Sequence, residues 1–277
     1  MTIFAPQTNL RVCFGFNTNP PFYKTVEYMP TDLTYFSSRR TVRTFRPDAP
    51  DPALVAEILE LAMRAPTTGG MQLYSVVITR DPEKLEALRP AHFRQPASMA
   101  PVLITVCADV RRFEQWCAAS GATPEFRNMQ GLMAAMLDAS LLAQQITTVA
   151  EMKGLGTCWL GTTTYNAQEI SDTLCLPQGV VPIGTLAIGW PASMPEQCER
   201  LPLEAWAHEE SYPCRTDCEV KALYAVKDEW PANQGFVAEN GKQTLAQVFT
   251  DVRYPAATSE PFSQKFLGFL RSAGFRL

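Results

Sequence analysis

From residue 51 onward the apolar positions fall into regular spacings. Asp51 is suited to cap a helix and Pro52 to fill its first turn; Leu54, Val55, Ile58, Leu61, Ala62 and Ala65 then share one face at the helical period. This helix runs into a loop, Ala65-Pro66-Thr67-Thr68-Gly69-Gly70-Met71-Gln72, and a strand follows from Leu73 to Thr79. Asp81 and Pro82 lead a short helix, a loop contains Arg94, and the apolar run from Pro101 to Ala108 has the length of a fully buried strand. The longest regular element opens at Thr123-Pro124-Glu125 and continues to about Lys153. It is apolar on most sides, as befits a core helix or a subunit contact, and Gly154 and Gly156 end it. Thr157 to Leu160 predicts a short strand and Gly161 to Tyr165 a loop. Asn166 with Glu169 has capping-box spacing for a helix to Leu174, and Val180 to Gly189 a second buried strand closed by Trp190-Pro191. Further helices are expected from Thr216 to Glu229, around Leu245 to Phe249, and from Ser259 to Ala273. Residues 1–34, rich in proline, asparagine and aromatics, read as an extended arm packed on the body or on a second subunit. Helices and strands interleave, which suggests a helix-covered sheet of mixed direction and leaves strand order open.

Composition narrows the class. In 277 residues, 46% of them apolar, there is enough material for a substantial core, so one domain with long extensions is the natural organisation. A net charge of -4 gives no footprint for nucleic acid or an anionic membrane surface. No uninterrupted apolar run reaches bilayer length, polar residues break the long helix, and residues 1–16 lack signal-peptide order, so a cytoplasmic protein is expected. The eight cysteines include no C-x-x-C pair and stand beside only two histidines, which predicts reduced, mostly buried thiols. Cys214 and Cys218, near His208, are spaced for a metal but have no second pair of ligands.

The chemistry concentrates elsewhere. No serine or cysteine nucleophile motif, P-loop, H-E-x-x-H or dinucleotide fingerprint is present, and Gly154-Leu155-Gly156 follows a helix instead of opening one. A bound cofactor is then the better source of reactivity. Between Phe36 and Phe45 the chain reads Phe-Ser-Ser-Arg-Arg-Thr-Val-Arg-Thr-Phe, gathering Arg39, Arg40 and Arg43 around the hydroxyl of Thr41. Guanidinium groups present fixed forks of donors that match phosphate oxygens, and a hydroxyl adds a neutral donor. The alternative is a solvated basic face at the start of a helix.

Taken in order, Arg-Arg-Thr-Val-Arg-Thr-Phe, Ala-Pro-Thr-Thr-Gly-Gly-Met-Gln, Gly154-Leu-Gly-Thr-Cys-Trp-Leu-Gly161, Leu176-Pro-Gln-Gly-Val-Val-Pro-Ile-Gly with Ala187-Ile-Gly-Trp-Pro191, and Arg200-Leu-Pro resemble the motifs of the FMN-dependent nitroreductase superfamily. Within it the chain is most similar to the larger, oxygen-insensitive NADPH-type enzymes. The resemblance covers residues 36–212, with an N-terminal arm at 1–35 and a C-terminal helical extension at 213–277.

The resemblance implies an α+β fold, a central and mainly antiparallel sheet flanked by helices, and a homodimer whose long apolar helix forms the subunit contact. It implies that Arg39, Arg40, Thr41 and Arg200 hold the FMN phosphate and that Arg43 and Arg94 lie toward the pyrimidine edge of the flavin. Pro66, Thr67, Thr68, Gly70 and Gln72 would reach the flavin from the second subunit, and Trp159, Leu160, Gly161 and Thr162 would run along its face. Two positions depart from the pattern: Gly70 stands where the family usually has asparagine, and Cys198 where the larger enzymes often have lysine. The implied reaction is ping-pong: hydride passes from NADPH or NADH to the flavin and then on to a nitroaromatic, quinone or similar small-molecule acceptor, with no acid or base side chain required. Dehalogenation, dehydrogenation, flavin reduction and non-catalytic flavin storage are the alternatives on the same fold.

Overall fold

The computed structural model describes residues 33–277, so the arm expected over residues 1–34 lies outside it but for its last two positions. Helix α1 (Thr34–Ser38) gives way to extended backbone at Arg39, with φ -56° and ψ 136°. The arginines therefore follow a helix instead of opening one. Helix α2 (Pro52–Ala62) starts where Asp51 accepts the N–H of Ala53 at 2.7 Å, and it buries Val55, Ile58 and Ala62. Strand β1 (Tyr74–Thr79), helix α3 (Pro82–Leu88) capped by Asp81, and strand β2 (Val102–Asp109) follow. Next come α4 (Arg111–Ala119), α5 (Met129–Met152), β3 (Gly156–Leu160), α6 (Ala167–Leu174) and β4 (Val180–Gly189). The C-terminal part holds α7 (Asp217–Asp228), α8 (Pro231–Glu239), α9 (Leu245–Gln247) continuing as a π-helix over Val248–Arg253, and α10 (Ala256–Ser272).

The strands form one sheet in the order β1-β2-β4-β3, and each neighbouring pair is antiparallel. The reading of a mixed sheet is thus corrected: an intervening helix can return the chain to either end of a sheet, so interleaving alone does not set direction. Both central strands are buried along their whole length. A register shift between Val106 and Cys107 gives β4 an extra residue there, and this irregularity lets Pro182, which has no N–H for the ladder, stand in a central strand.

Helix α5 lies against this sheet. Leu132, Ala135, Ala139, Leu142, Ala143, Ile146 and Ala150 are buried at helical spacing, and the four alanines allow α5 close to α2 and β2. The same core takes in Ile58, Leu73, Ile104 and Ile188, with Phe269, Leu270, Ala273 and Phe275 from the C-terminal end. A second cluster contains Leu88, Leu103, Cys158, Leu160 and Ile170.

Several expectations need correcting. Helix α5 starts at Met129, not at residues 123–125, because Asn128 caps it by accepting the N–H of Gly131 at 2.9 Å. By length and composition α5 is also long and apolar enough to cross a membrane, contrary to the reading that no run is. Here it is a core helix carrying a buried aspartate, Asp138. Asn166 precedes α6 without capping it: its Nδ2 donates to the carbonyl of Ala91, and its Oδ1 accepts from Lys265. Helices α4 and α8 were not anticipated. Of the described cysteines, only Cys107, Cys117 and Cys158 are buried, while Cys175, Cys198, Cys214 and Cys218 are exposed.

Candidate functional site

The arginine-rich segment attaches along the outer edge of β3. Val42 donates its N–H to the carbonyl of Thr157 at 3.1 Å and is fully packed, with Gly156 opposite it; a Cβ on Gly156 would lie 2.6 Å from Val42 Cβ. Further along, Arg46 donates to Trp190, Ala192 donates to Thr44, and Phe45 bridges Pro191. This pairing fixes the side chains on either side of Val42.

Arg39 meets the carboxylate of Glu151 at the end of α5, with Nε 3.2 Å from Oε2, and its Nη1 donates to Thr41 Oγ1 at 3.4 Å. The same carboxylate accepts from the hydroxyls of Tyr35 at 2.8 Å and Thr157 at 2.5 Å. Burial, reinforced by the bond to Glu151, pushes the Tyr35 hydroxyl up to about 12, so it remains a donor. The Nε atoms of Arg39 and Arg40 are buried without a hydrogen-bond partner; for Arg39 the contact to Glu151 is one of charge, with the N–H not aimed at the oxygen. Arg43 is exposed. Arg39 and Arg43 both act electrostatically on the thiol of Cys158 in β3, so both lie beside that strand.

Three arginines stand within five residues and only Arg39 meets a carboxylate, that of Glu151, so the segment carries an excess of positive charge. The buried, unpartnered N–H of Arg40 asks for an acceptor that the described residues do not supply. A phosphate dianion has the charge and the oxygens to meet it, so the donor set fits an FMN phosphate.

The segment carrying Arg200 approaches from the other side of the sequence: Gln197 Nε2 donates to the carbonyls of Ser37 and, at 3.4 Å, Arg39. Arg200 itself is exposed and donates to the carbonyl of Glu199 at 2.9 Å, and Cys198 is exposed beside it.

The Pro66–Gln72 loop is held at a different place. Asp138 accepts the Thr67 hydroxyl at 2.5 Å, the Thr68 N–H and hydroxyl both at 2.8 Å, and the Leu73 N–H at 3.2 Å. Burial acts to raise the carboxyl pKa, but these donors together bring it below its ordinary value. The loop closes with Gly69, Gly70 and Gln72 at positive φ, and Gln72 donates through Nε2 to Tyr74. The two anchor points, Asp138 and Glu151, are 13 residues apart on α5, about 20 Å of helix rise. Within one chain, then, the loop and the arginine cluster do not converge.

The end of β3 forms the third part. Trp159 is 43% exposed, and its ring lies over Gly184 of β4, where a Cβ would come within 1.9 Å of Cζ2. Leu160 is buried and Gly161 exposed. Thr162 receives Gln95 Nε2 at 3.2 Å and is 3.1 Å from Nδ1 of His92, which is fully buried. Burial lowers the His92 pKa to about 4, so the ring is neutral at ordinary pH. Arg94, in the same loop, is exposed and paired with Glu86 at 2.6 Å.

Glu151, Asp138, His92 and Gln197 were missed as parts of these sites. They contribute through long-range contacts, which no local spacing reveals.

The Nitroreductase family model matches residues 36–190. The chain is 31% identical over 187 residues to the FMN reductase (NADPH) of Bacillus subtilis, covering 65% of this chain and 74% of that protein. It is 28% identical over 185 residues to the oxygen-insensitive NADPH nitroreductase of Salmonella typhimurium, covering 66% and 75%. A crystal structure of a candidate oxidoreductase from Bacteroides fragilis is 48% identical, with a TM-score of 0.86 over 88% of this chain and 100% of that one. The chain belongs to the nitroreductase family.

Proposed function

We propose that this member of the nitroreductase family is an FMN-dependent oxidoreductase, using NADPH or NADH to reduce a small-molecule acceptor such as a quinone or nitroaromatic. The observation that carries this reading is the buried, unpartnered Nε of Arg40 within the Arg39–Arg43 cluster. Relatives named as an NADPH-dependent FMN reductase and an NADPH nitroreductase support it.

FMN, when bound, would supply the redox chemistry, a two-electron transfer between nicotinamide and acceptor in a ping-pong order. The balance is simple: a quinone gains two electrons and two protons to become a hydroquinone, while a nitro group gains the same and loses water to become nitroso. The chain's part is to bind and orient. Arg39, Arg40 and Thr41 hold the phosphate, with Arg200 approaching on the segment that Gln197 ties to Arg39. Arg43 offers positive charge toward the pyrimidine edge, where charge develops on reduction. Trp159 to Thr162 provide the surface along the ring, and the exposed Gly161 allows the main chain close to it. Arg94, held by Glu86 on the surface, is the least engaged of the proposed residues.

The reading includes a homodimer. With the hydroxyls of Thr67 and Thr68 engaged by Asp138 and the Gln72 Nε2 by Tyr74, Pro66, Gly70 and the side-chain oxygen of Gln72 are left to meet the cofactor of a second subunit. The separation of Asp138 from Glu151 along α5 supports this division. Met129, Met133, Leu137 and Leu141, four residues apart, form an exposed apolar stripe on α5 suited to the subunit contact. Residues 36–212 are the flavin-binding unit in this account, and 213–277 are an extension joined to it through α10.

Anaerobic half-reactions test the proposal. Purified protein is expected to be yellow, to bleach with NADPH or NADH, and to recover colour with a quinone or nitroaromatic. Colourless protein that takes up no FMN would overturn it.

A further inference from the structure

A cavity of about 250 Å³ lies between the turn after β3 and the C-terminal extension. Tyr165 and Phe262 line it as a stacked pair, with ring centroids 4.5 Å apart and planes 12° apart, and Phe266 adds a third aromatic. Thr164 and Ser259 add hydroxyls, and Arg253 adds a positive charge; no acidic residue lines the cavity.

The state of Arg253 is informative. It closes the π-helix over Val248–Arg253, an irregular element often found at functional positions. Its guanidinium is stacked 4.5 Å over the ring of Phe236 and lies 5.5 Å from that of Phe249. It has no acidic partner among the described residues, and the nearby Asp251 is paired with Lys242 at 2.9 Å. The charge is thus held in place by aromatic rings and left without a counter-ion.

We propose that this cavity is a subsite for a single-ring aromatic anion, with the ring packed against Tyr165, Phe262 and Phe266 and its carboxylate or sulfonate facing Arg253. The cavity falls just below the roughly 300–1,000 Å³ usual for drug-sized ligands, which suits one substituted ring. Planar bidentate recognition of an oxyanion is what a stacked arginine does best. Because Thr164 and Tyr165 follow directly on the Gly161–Thr163 turn, the subsite adjoins the surface assigned to the flavin ring. Resting on the oxidoreductase reading, the inference names a substrate class: aromatic acceptors that carry a negative charge.

The test compares 4-nitrobenzoate with its neutral analogue 4-nitrobenzamide. Calorimetric titration of the oxidised full-length protein involves no electron transfer, so it reads the cavity even if the flavin reading fails. Wild-type protein is expected to bind the carboxylate about tenfold more tightly than the amide, in keeping with a charge-assisted hydrogen bond. Arg253→Gln is expected to remove that preference while binding the amide unchanged. Under anaerobic reduction with NAD(P)H, kcat/KM should show the same preference and the same loss. Equal affinity for the two compounds in wild type, a preference that survives in Arg253→Gln, or reduction rates indifferent to the charge would each overturn the proposal.

Discussion

Glu151 holds Arg39 from the far end of α5, its Oε2 standing 3.2 Å from Arg39 Nε while the carboxylate also accepts the hydroxyls of Tyr35 and Thr157. One side chain therefore ties the core helix, the segment before the arginines and the edge strand together. Removing it leaves two hydroxyl donors without an acceptor and a partly buried cation without its counter-charge. Glu151→Ala should lower stability by about 2–3 kcal/mol, measured by urea unfolding, and should weaken FMN binding because Arg39 loses its orientation. Full retention of both would show that Glu151 is not the anchor.

Asp138 plays the corresponding part for the Pro66–Gln72 loop. An asparagine there keeps the shape but has only one acceptor oxygen for four donors, so Asp138→Asn should cost about 2–4 kcal/mol. The carboxyl pKa is depressed in the folded protein, so its contribution is present above the unfolded value and is lost as the pH falls through the folded one. The stability difference between wild type and Asp138→Asn should therefore shrink in acid, which thermal melts at pH 7 and pH 3 would reveal.

His92 gives a separate acid-sensitive signature. In the unfolded chain a histidine takes up its proton near 6.5, whereas the buried ring does not until about 4. Between those values the unfolded state binds the extra proton, so stability falls as pH falls across the window, by about 3 kcal/mol in all. In His92→Asn this loss should vanish, giving a shallower dependence of Tm on pH from 6.5 to 4. An unchanged slope would mean that His92 is solvated and titrates freely.

The proposed subunit contact is open to a direct trial. Leu137, 61% exposed, lies in the apolar stripe of α5 and faces away from the core, so Leu137→Lys should leave the fold intact and shift the protein from dimer to monomer. Light scattering coupled to size-exclusion chromatography reads the change. An unaltered mass would contradict the placing of the contact on this stripe.

Much of the fold was legible because local chemistry announced it. Asp51-Pro52 and Asp81-Pro82 start helices in the expected way, and the unbroken apolar runs became the two buried central strands. Gly154, at φ +84°, ends the long helix as its position suggested. What escaped notice has physical reasons. Helix α4 is short, with an apolar face of little more than Phe113, Trp116 and Cys117 in one turn, too brief a repeat to announce a helix, and Asn166 binds across space to Ala91 and Lys265 instead of capping its own helix. The arginine cluster was conspicuous in the sequence as a phosphate-ready patch. Its dependence on Glu151, and that of the threonine loop on Asp138, rests on contacts spanning 112 positions from Arg39 and about 70 from Thr67 and Thr68, and no spacing rule reaches so far.

The central claim is that Arg40 anchors the cofactor phosphate, and the phosphate itself can be varied. FMN and riboflavin share the ring and ribityl chain and differ only in that group. Fluorescence titration of apoprotein with both flavins, in wild type and in Arg40→Gln, closes a cycle that isolates the contact. Wild type should bind FMN at least about a hundredfold more tightly than riboflavin, and Arg40→Gln should lose most of that margin while binding riboflavin as before. A margin for FMN that is undiminished in Arg40→Gln would contradict the account.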